Sequence, residues 1–322
     1  MLNTAERNPA RGEACAAGIC ALPFTRRQHL KQTVAFTALG LLSLCVVVPV
    51  VVILYFVLAN GLPGLSWEFL TAMPRHGMKE GGIYPAILGS VSLVLVAMAL
   101  AVPLGVLGAV YLSEYARQGP AVRAIRLAIL NLAGVPSIVY GLFGMGIFVM
   151  VVLPAVFGWL HLSPRQASPS CLLAGAATLS LLVLPMVIAT TEEALRQVPQ
   201  HLRNASLALG GTRWQTVRRI VLPGAMPGIL TGLVLAVGRA AGETAPILLT
   251  GAVFYAARVP SLAQALQKPF MALPYHLYAI ATQLPDAPKK LQWGTALVLL
   301  LLVLGFNAVG IGLRWALRRK RG

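Results

Sequence analysis

The sequence predicts an all-α membrane protein, a bundle of helices that cross the bilayer several times. Of its 322 residues, 57% are hydrophobic and only 11% are charged, and the mean hydropathy is +0.77. The apolar residues are gathered in runs of about 20, the length that a helix needs to cross a hydrocarbon core. Short segments of alternating hydrophobicity, the pattern of an outer-membrane barrel, are missing from the sequence. Helices therefore have to satisfy the backbone within each crossing.

Six runs are long enough and apolar enough to be spans. In chain order they are Thr33–Leu58, Ile83–Leu112, Ile125–Leu153, Ser170–Thr191, Pro227–Gly251 and Leu291–Leu317. We expect residues 1–32 to be a disordered cytoplasmic tail, because they are polar and lack the apolar core of a signal peptide. We expect residues 254–290 to form short helices, interfacial or re-entrant, because their apolar stretches are too short for a seventh crossing.

The distribution of Lys and Arg predicts the orientation of the chain. Basic residues that flank spans are retained on the cytoplasmic side, and most of the 26 Lys and Arg residues fall in the two termini, the second loop and the fourth loop. Both termini should therefore be cytoplasmic. The same distribution explains the net charge of +17 better than nucleic-acid binding does, since that function needs a basic patch on one soluble element.

The residue patterns of enzymes and metal sites are missing from the sequence. The chain has a single aspartate, Asp286, and its five histidines are scattered over different segments. Neither the zinc motif HExxH nor the phosphate loop G-x-x-x-x-G-K-[ST] occurs. We therefore expect this chain to have no catalytic residue, to bind no metal and to depend on a separate ATPase for any ATP-driven process.

The fourth loop, residues 191–228, is the longest soluble stretch with a clear pattern. Its breaks at Pro199 and at the Gly210-Gly211 pair predict two short helices joined by a turn. The apolar residues of these helices fall on one face at helical spacing, and they are Leu202, Ala205, Leu209, Trp214, Val217 and Ile220. A cytoplasmic helix-turn-helix with exposed apolar side chains predicts a protein partner.

This loop resembles the EAA loop of permease subunits in bacterial ABC importers. In that family the segment that docks into a groove of the ATPase has a fixed pattern. The pattern is EAA, three residues, Gly, nine residues, Ile, one residue, Leu and Pro. In this chain Asn204, Ala205 and Ser206 stand at the EAA positions, so Asn204 and Ser206 replace the Glu and the second Ala. Gly210 follows after three residues and Ile220 after nine more, so both spacings of the family pattern are kept. The resemblance implies a type I importer permease fold over residues 33–322, with cytoplasmic coupling helices at about 192–223. The implied ATPase contacts are Asn204, Ala205, Leu209, Gly210, Ile220, Leu222 and Pro223.

Three further segments resemble the permeases of phosphate importers. They are GGIYPAILGS (81–90), LAGVPSIVYGLFG (132–144) and GRAAGETAPILLTG (238–251), and the last is similar to the PstA type rather than to its PstC partner. The resemblance implies a multi-pass subunit of the bacterial inner membrane that translocates inorganic phosphate. The implied partners are a PstC-like permease, a PstB-like ATPase dimer that holds the ATP and Mg, and a PstS-like binding protein; the chain itself binds no cofactor.

Arg239 and Glu243 are charges within the fifth apolar run, followed by Thr244. A charge at the bilayer centre costs about 2.5–3.5 kcal/mol on insertion scales, so such residues face the interior and pair. One interpretation is an i,i+4 ion pair that neutralises the helix for insertion. The other is that Arg239 lines an oxyanion path, with Glu243 holding it in place and weakening the binding of the anion. Thr244 either lines that path or bonds to a backbone carbonyl. Two alternative functions remain for the chain: a permease for another oxyanion, and a proton-coupled secondary transporter that uses Glu243.

Overall fold

The structure is a computed structural model that describes residues 26–78, 80–161, 167–255, 266–284 and 287–319. Within these ranges six helical segments are long and apolar enough to cross a membrane, which confirms the predicted all-α bundle. The segments are Leu30–Gly64, Tyr84–Tyr115, Ser137–Trp159, Leu172–Arg196, Arg213–Gly242 and Lys289–Ala316. Residues 1–25, most of the predicted tail, and Asp286 lie outside the described residues.

The helices are numbered in chain order. They are α1 (Arg26–Gly61), α2 (Trp67–Thr71), α3 (Tyr84–Val110), α4 (Pro120–Ala133), α5 (Ser137–Gly144), α6 (Leu153–Trp159), α7 (Leu172–Arg196), α8 (Gln200–Ala208), α9 (Arg213–Thr216), α10 (Leu222–Gly242), α11 (Ala245–Thr250), α12 (Leu273–Thr282) and α13 (Lys289–Arg319). Short π-helical turns extend three of them, at Tyr111–Tyr115, Met145–Val152 and Val217–Val221. The strands β1 (Pro74–Arg75) and β2 (Glu80–Gly81) form a small antiparallel hairpin.

Residues 26–56 form a unit of their own, and the described residues from Val57 onward form a second unit. The described part of the first unit is a single long apolar helix, α1, which begins at Arg26, before the predicted start at Thr33. The second unit contains the other five spans and the fourth loop.

The predicted third span, Ile125–Leu153, is wrong at both ends. The span runs from Ser137 to Trp159, and the preceding residues form the separate helix α4, none of whose residues is buried. Pro136 causes the break, because it has no N–H to continue the helix and disfavours helical geometry in the residue before it. The Tyr140 hydroxyl closes the gap by donating a 2.8 Å hydrogen bond to the carbonyl of Leu132.

The predicted fifth span, Pro227–Gly251, is displaced in the same way. The helix starts at Arg213, so the second short helix of the fourth loop is the beginning of the fifth span. Pro223 therefore lies inside a continuous helical run. The π turn Val217–Val221 widens the helix just before Pro223, which accommodates the missing N–H and the proline ring.

The fourth span, α7, is the centre of the second unit. It packs against α3, α4, α5, α10 and α11, and 61% of its apolar window is buried, against 11% for the sixth span. Helix α3 runs parallel to α7, with Gly105 against Val187 and Leu93 beside Gly175. Helix α10 runs antiparallel to both. We call the end of the bundle that carries α8 the docking end.

The segment 266–284 folds into the other end of the bundle. The carbonyl of Met271 lies against Gly89 of α3 so closely that no Cβ fits there, and the Ser90 hydroxyl accepts a 2.7 Å hydrogen bond from the Leu273 N–H. Helix α12 buries Leu273 and Ile280. Its other face is open, with Tyr278 45% exposed, so α12 packs one side against the bundle, and the choice between the interfacial and the re-entrant form stays a prediction.

One histidine is buried with α12. His276 is 2% exposed, and neither ring nitrogen has a hydrogen-bond partner among the described residues. Burial lowers the pKa of His276 to about 4, because the charged form loses its solvation. The imidazole is therefore neutral at pH 7, and α12 brings no charge into the bundle through it.

Candidate substrate path and docking surface

Glycines bring α10 into close contact with α7. A Cβ at Gly224 would lie 3.3 Å from Val198, and one at Gly228 would lie 2.7 Å from Ala194; a Cβ at Gly232 would overlap the Thr190 side chain. These three glycines are four residues apart, a spacing that lets a neighbouring helix approach closely. Gly242 differs, since nothing lies within 4 Å of its Cβ position.

This register places Arg239 at the middle of the bundle. Gly228 faces Ala194 and Gly232 faces Thr190, so the antiparallel register continues to a level near Val183, midway along α7. Arg239 is therefore far from both ends of the neighbouring span. A guanidinium at that depth is costly unless it is paired or faces a water-filled cavity.

Arg239 is paired with Glu243. The Arg239 Nε and the Glu243 Oε1 are 3.6 Å apart, and the side chains are 35% and 20% exposed. The ion pair predicted from the i,i+4 spacing is present, but it does not lie along one continuous helix. Helix α10 ends at Gly242, and Glu243 has an extended backbone. The loose distance and the partial exposure leave the guanidinium able to bind a further group.

The break after α10 has a clear cause in the sequence. Pro246 follows, and it cannot donate the hydrogen bond to Gly242 that a continuous helix requires. Thr244 precedes the short helix α11, and its side chain makes no capping hydrogen bond. Helix α5 packs onto this break, where a Cβ at Gly141 would lie 3.1 Å from the Ala245 carbonyl. Irregular backbone at membrane depth is tolerated only where it is buried in protein or lines a water-filled cavity.

A groove of about 710 Å³ leads from the docking end towards this break. It runs between α7 and α10, and Leu235, one helical turn before Arg239, is among the residues that line it. Its polar lining residues are Thr190, Glu193, Gln197, Thr231 and Arg314. The groove and the Arg239–Glu243 pair thus lie along the same helix seam.

The fourth loop forms a compact turn at the docking end. Gly210 has a φ of +82°, a backbone conformation that glycine adopts without strain, so its expected role in the turn is confirmed. Thr212 and Gln215 form a capping box at the start of α9. The two arms of the turn are joined by a 2.9 Å hydrogen bond between the hydroxyls of Ser206 and Thr216.

The turn presents apolar side chains to solvent. Leu209 is 90% exposed, Trp214 is 56% exposed and Leu202 is 42% exposed, and Asn204 and Ala205 are exposed beside them. The predicted face is wrong at Val217, which is buried in a cluster with Ala194 and Val221. Ile220, Leu222 and Pro223 are only partly exposed, and Leu222 packs against the same cluster. We therefore define the docking surface as Leu202, Asn204, Ala205, Leu209 and Trp214.

Sequence reasoning missed a group of ion pairs at the docking end. Arg203 pairs with Glu114 at 2.9 Å, and Glu192 pairs with Arg126 at 2.7 Å and with Arg196 at 2.6 Å. In the sequence these arginines indicate only orientation. The one hint in the sequence is that Glu192 follows directly after an apolar run and Glu114 comes two residues after one. In the described ranges, no three His, Cys, Asp or Glu residues are grouped so that they could hold a metal ion.

The chain is similar to known membrane components of transport systems over most of its length. The family described as binding-protein-dependent transport system inner membrane component matches residues 101–321. The chain is 37% identical over 302 residues to the phosphate transport system permease protein PstA of Mycobacterium leprae, covering 92% of this chain and 93% of that protein. It is 34% identical over 295 residues to the probable ABC transporter permease protein YqgI of Bacillus subtilis, covering 86% and 93%.

Solved structures share the fold at low sequence identity. A bacterial ABC transporter involved in the import of the acidic polysaccharide alginate matches with a TM-score of 0.59 at 17% identity, covering 88% of this chain and 98% of that one. An inward-facing MetNI methionine ABC transporter matches with a TM-score of 0.50 at 16% identity, covering 73% and 94%. These matches concern the fold alone.

Proposed function

The chain belongs to the family of binding-protein-dependent transport system inner membrane components, and from this premise we propose that it is the PstA-type permease subunit of an ATP-driven phosphate importer. The relatives that carry the PstA name match most of its length. The proton-coupled alternative loses its basis, because the family is one of subunits in multi-protein transport systems. The chain is a transport subunit and not an enzyme.

The observation that carries the substrate assignment is the Arg239–Glu243 pair at the break after α10. Phosphate needs a fixed cationic donor, and a guanidinium offers two parallel hydrogen bonds to an oxyanion. Arg239 has this chemistry at mid-depth, on the seam that the groove follows towards the docking end. Glu243 orients the empty guanidinium and limits how tightly the anion binds, so that phosphate is released as well as captured. In this proposal Thr244, the residue after Glu243, contributes its hydroxyl to the same path.

The docking surface suits the transmission of force from an ATPase. Leu209 and Trp214 are large exposed apolar groups on a capped turn, and an aromatic or aliphatic side chain that fills a pocket of the partner is a typical anchor of a binding interface. In the proposed cycle, ATP binding closes the ATPase dimer, which moves the docking surface and opens the spans outward to a loaded binding protein. Hydrolysis returns them inward. The ATP and Mg belong to the ATPase.

The partners follow from the same proposal. They are a homologous PstC-like permease, a PstB-like ATPase dimer and a PstS-like phosphate-binding protein on the outer face. Both termini and the docking surface lie in the cytoplasm in this arrangement, which agrees with the excess of Arg on that side.

Uptake of labelled phosphate tests the substrate. Cells lacking this chain should take up little phosphate through the importer, and uptake should return when the chain is restored together with its partner subunits. We expect a tenfold excess of sulfate or molybdate to leave the restored uptake unchanged. A chain that reaches the membrane and binds an ATPase, but whose restored uptake is abolished by molybdate, would require a different oxyanion as the substrate.

Leu209→Asp tests the docking surface. A carboxylate buried in an apolar contact loses its solvation, so we expect co-purification of the ATPase to fall by about tenfold or more, a change of about 1.4 kcal/mol or more in binding. Membrane insertion should be unaffected, because the Leu209 side chain is exposed. Leu209→Met keeps an apolar group and is the matched control. Equal ATPase recovery with Asp and Met would place the contact elsewhere.

A further inference from the structure

Helix α8 is held to the bundle mainly by polar contacts. None of its residues is buried, although it carries three of the five residues of the docking surface. Its connections through the chain are Pro199 on one side and the Gly210 turn on the other. Its position relative to the spans therefore depends on polar contacts, and these contacts have to transmit any movement of the docking surface.

Arg203 makes most of those contacts. Its guanidinium donates hydrogen bonds to the Leu195 carbonyl at 2.7 Å, in the last turn of α7, and to the Val198 carbonyl, two residues after α7 ends. It also pairs with Glu114 at 2.9 Å, and both side chains are well shielded, at 11% and 13% exposed. One side chain on α8 thus joins the end of the fourth span to the π turn that ends the second span.

Glu114 is itself held in place. It accepts a 3.3 Å hydrogen bond from the Ser113 hydroxyl, and the neighbouring Leu112 carbonyl accepts a 3.1 Å hydrogen bond from Arg126. Arg126 also pairs with Glu192 of α7. The end of α3 is therefore tied to α7 as well as to α8, so that α8 and these two span ends form one polar junction.

We infer that Arg203 is a positioning residue that, through Glu114, makes the docking helix α8 and the inner end of the second span move as one body. The inference rests on the proposed function, since it explains how movement at the ATPase reaches the spans. Arg203 contributes no apolar contact to the docking surface. Its loss should leave the ATPase bound while disconnecting it from the second span.

Coupling between ATP hydrolysis and transport is the first readout. In reconstituted full complexes, we expect Arg203→Gln and Glu114→Gln each to lower the phosphate transported per ATP hydrolysed by about tenfold, the loss expected for one hydrogen-bonded charge pair. The double variant should be no worse than Arg203→Gln alone, and the ATPase should co-purify as in the wild type. Arg117→Gln, at an exposed arginine near the same turn, is the control and should keep the wild-type ratio. Additive losses, or full coupling in Arg203→Gln, would overturn the inference.

A distance measurement tests the same junction without phosphate. Spin labels at positions 111 and 201, both exposed, report on the end of the second span and on α8 in a background without native cysteines. We expect the wild-type distance to be the same in the nucleotide-free complex and in the complex trapped with ATP and vanadate, and the distribution to broaden and shift in Arg203→Gln. A wild-type distance that changes between the two states would show that α8 moves independently. Since neither state contains phosphate, failure of the substrate assignment leaves this result interpretable.

Discussion

Arg239→Ala is expected to reduce phosphate uptake by at least about a hundredfold while the complex still assembles. Removing the guanidinium takes away the cationic donor on the proposed path and leaves Glu243, a negative charge, facing the anion. Two charge-assisted hydrogen bonds are worth about 3 kcal/mol or more, and every 1.4 kcal/mol corresponds to about tenfold. Initial rates of labelled phosphate uptake, normalised to the amount of assembled complex, measure the loss.

A conservative variant separates charge from geometry. Arg239→Lys keeps a positive charge but cannot make the parallel pair of hydrogen bonds, because an ammonium is a point charge on a flexible chain. We expect it to retain part of the uptake, between the wild type and Arg239→Ala. Glu243→Gln should lower both the maximal rate and the apparent KM, since the anion then binds more tightly and leaves more slowly.

The competing interpretation is that the pair only neutralises a helix for insertion. In that case the double variant Arg239→Met, Glu243→Met, which removes both charges, should insert well and transport phosphate like the wild type. On the proposed function it should insert well and transport almost nothing. Wild-type uptake by the double variant would therefore reject the path assignment, whatever Arg239→Ala alone does.

The fold could be predicted from the sequence because its main signal is local. A run of about 20 apolar residues specifies a crossing whatever lies around it, and the same is true of the Gly210 turn and the Arg239–Glu243 spacing. The predicted ends of the third span are wrong because residues 125–133 are as apolar as a span. Only their place before Pro136 shows that they belong to another helix. Hydropathy alone does not separate an exposed amphipathic helix from the start of a crossing.

The junction at α8 could not be predicted because its partners are distant in the sequence. Arg203 and Glu114 are 89 residues apart, and no local spacing indicates that one neutralises the other. An excess of arginine on one side of the membrane is also expected from orientation alone, which hides any arginine that has a structural role. Val217 was predicted to be exposed on the apolar face of the loop, and it is buried for a related reason. Helical spacing shows which side chains share a face, but it does not show which other helices cover that face.

Gly89→Ala is expected to destabilise the bundle strongly, although it adds only one methyl group. A Cβ at Gly89 would overlap the carbonyl oxygen of Met271, which is backbone and cannot rotate away. The segment before α12 would have to move, and its movement would strain the buried Ser90–Leu273 hydrogen bond. Overpacking of this kind costs about 1–3 kcal/mol. Thermal unfolding of the purified complex in detergent, followed by loss of monodisperse protein, should show a lower Tm.

Two other glycines provide a graded series for this measurement. At Gly175 the added methyl group would lie 3.2 Å from the Phe270 ring, a side chain that can shift, so Gly175→Ala should lower the Tm less. At Gly305 nothing lies within 4 Å of the Cβ position, and Gly305→Ala should leave the Tm unchanged or slightly raised, because alanine favours a helix by about 0.5–1 kcal/mol over glycine. The order of the three Tm values depends on what each methyl group meets and not on the substitution itself. If Gly89→Ala is as stable as Gly305→Ala, the Phe270–Leu273 segment does not pack against α3, and the packing of α12 against this end of the bundle has to be abandoned.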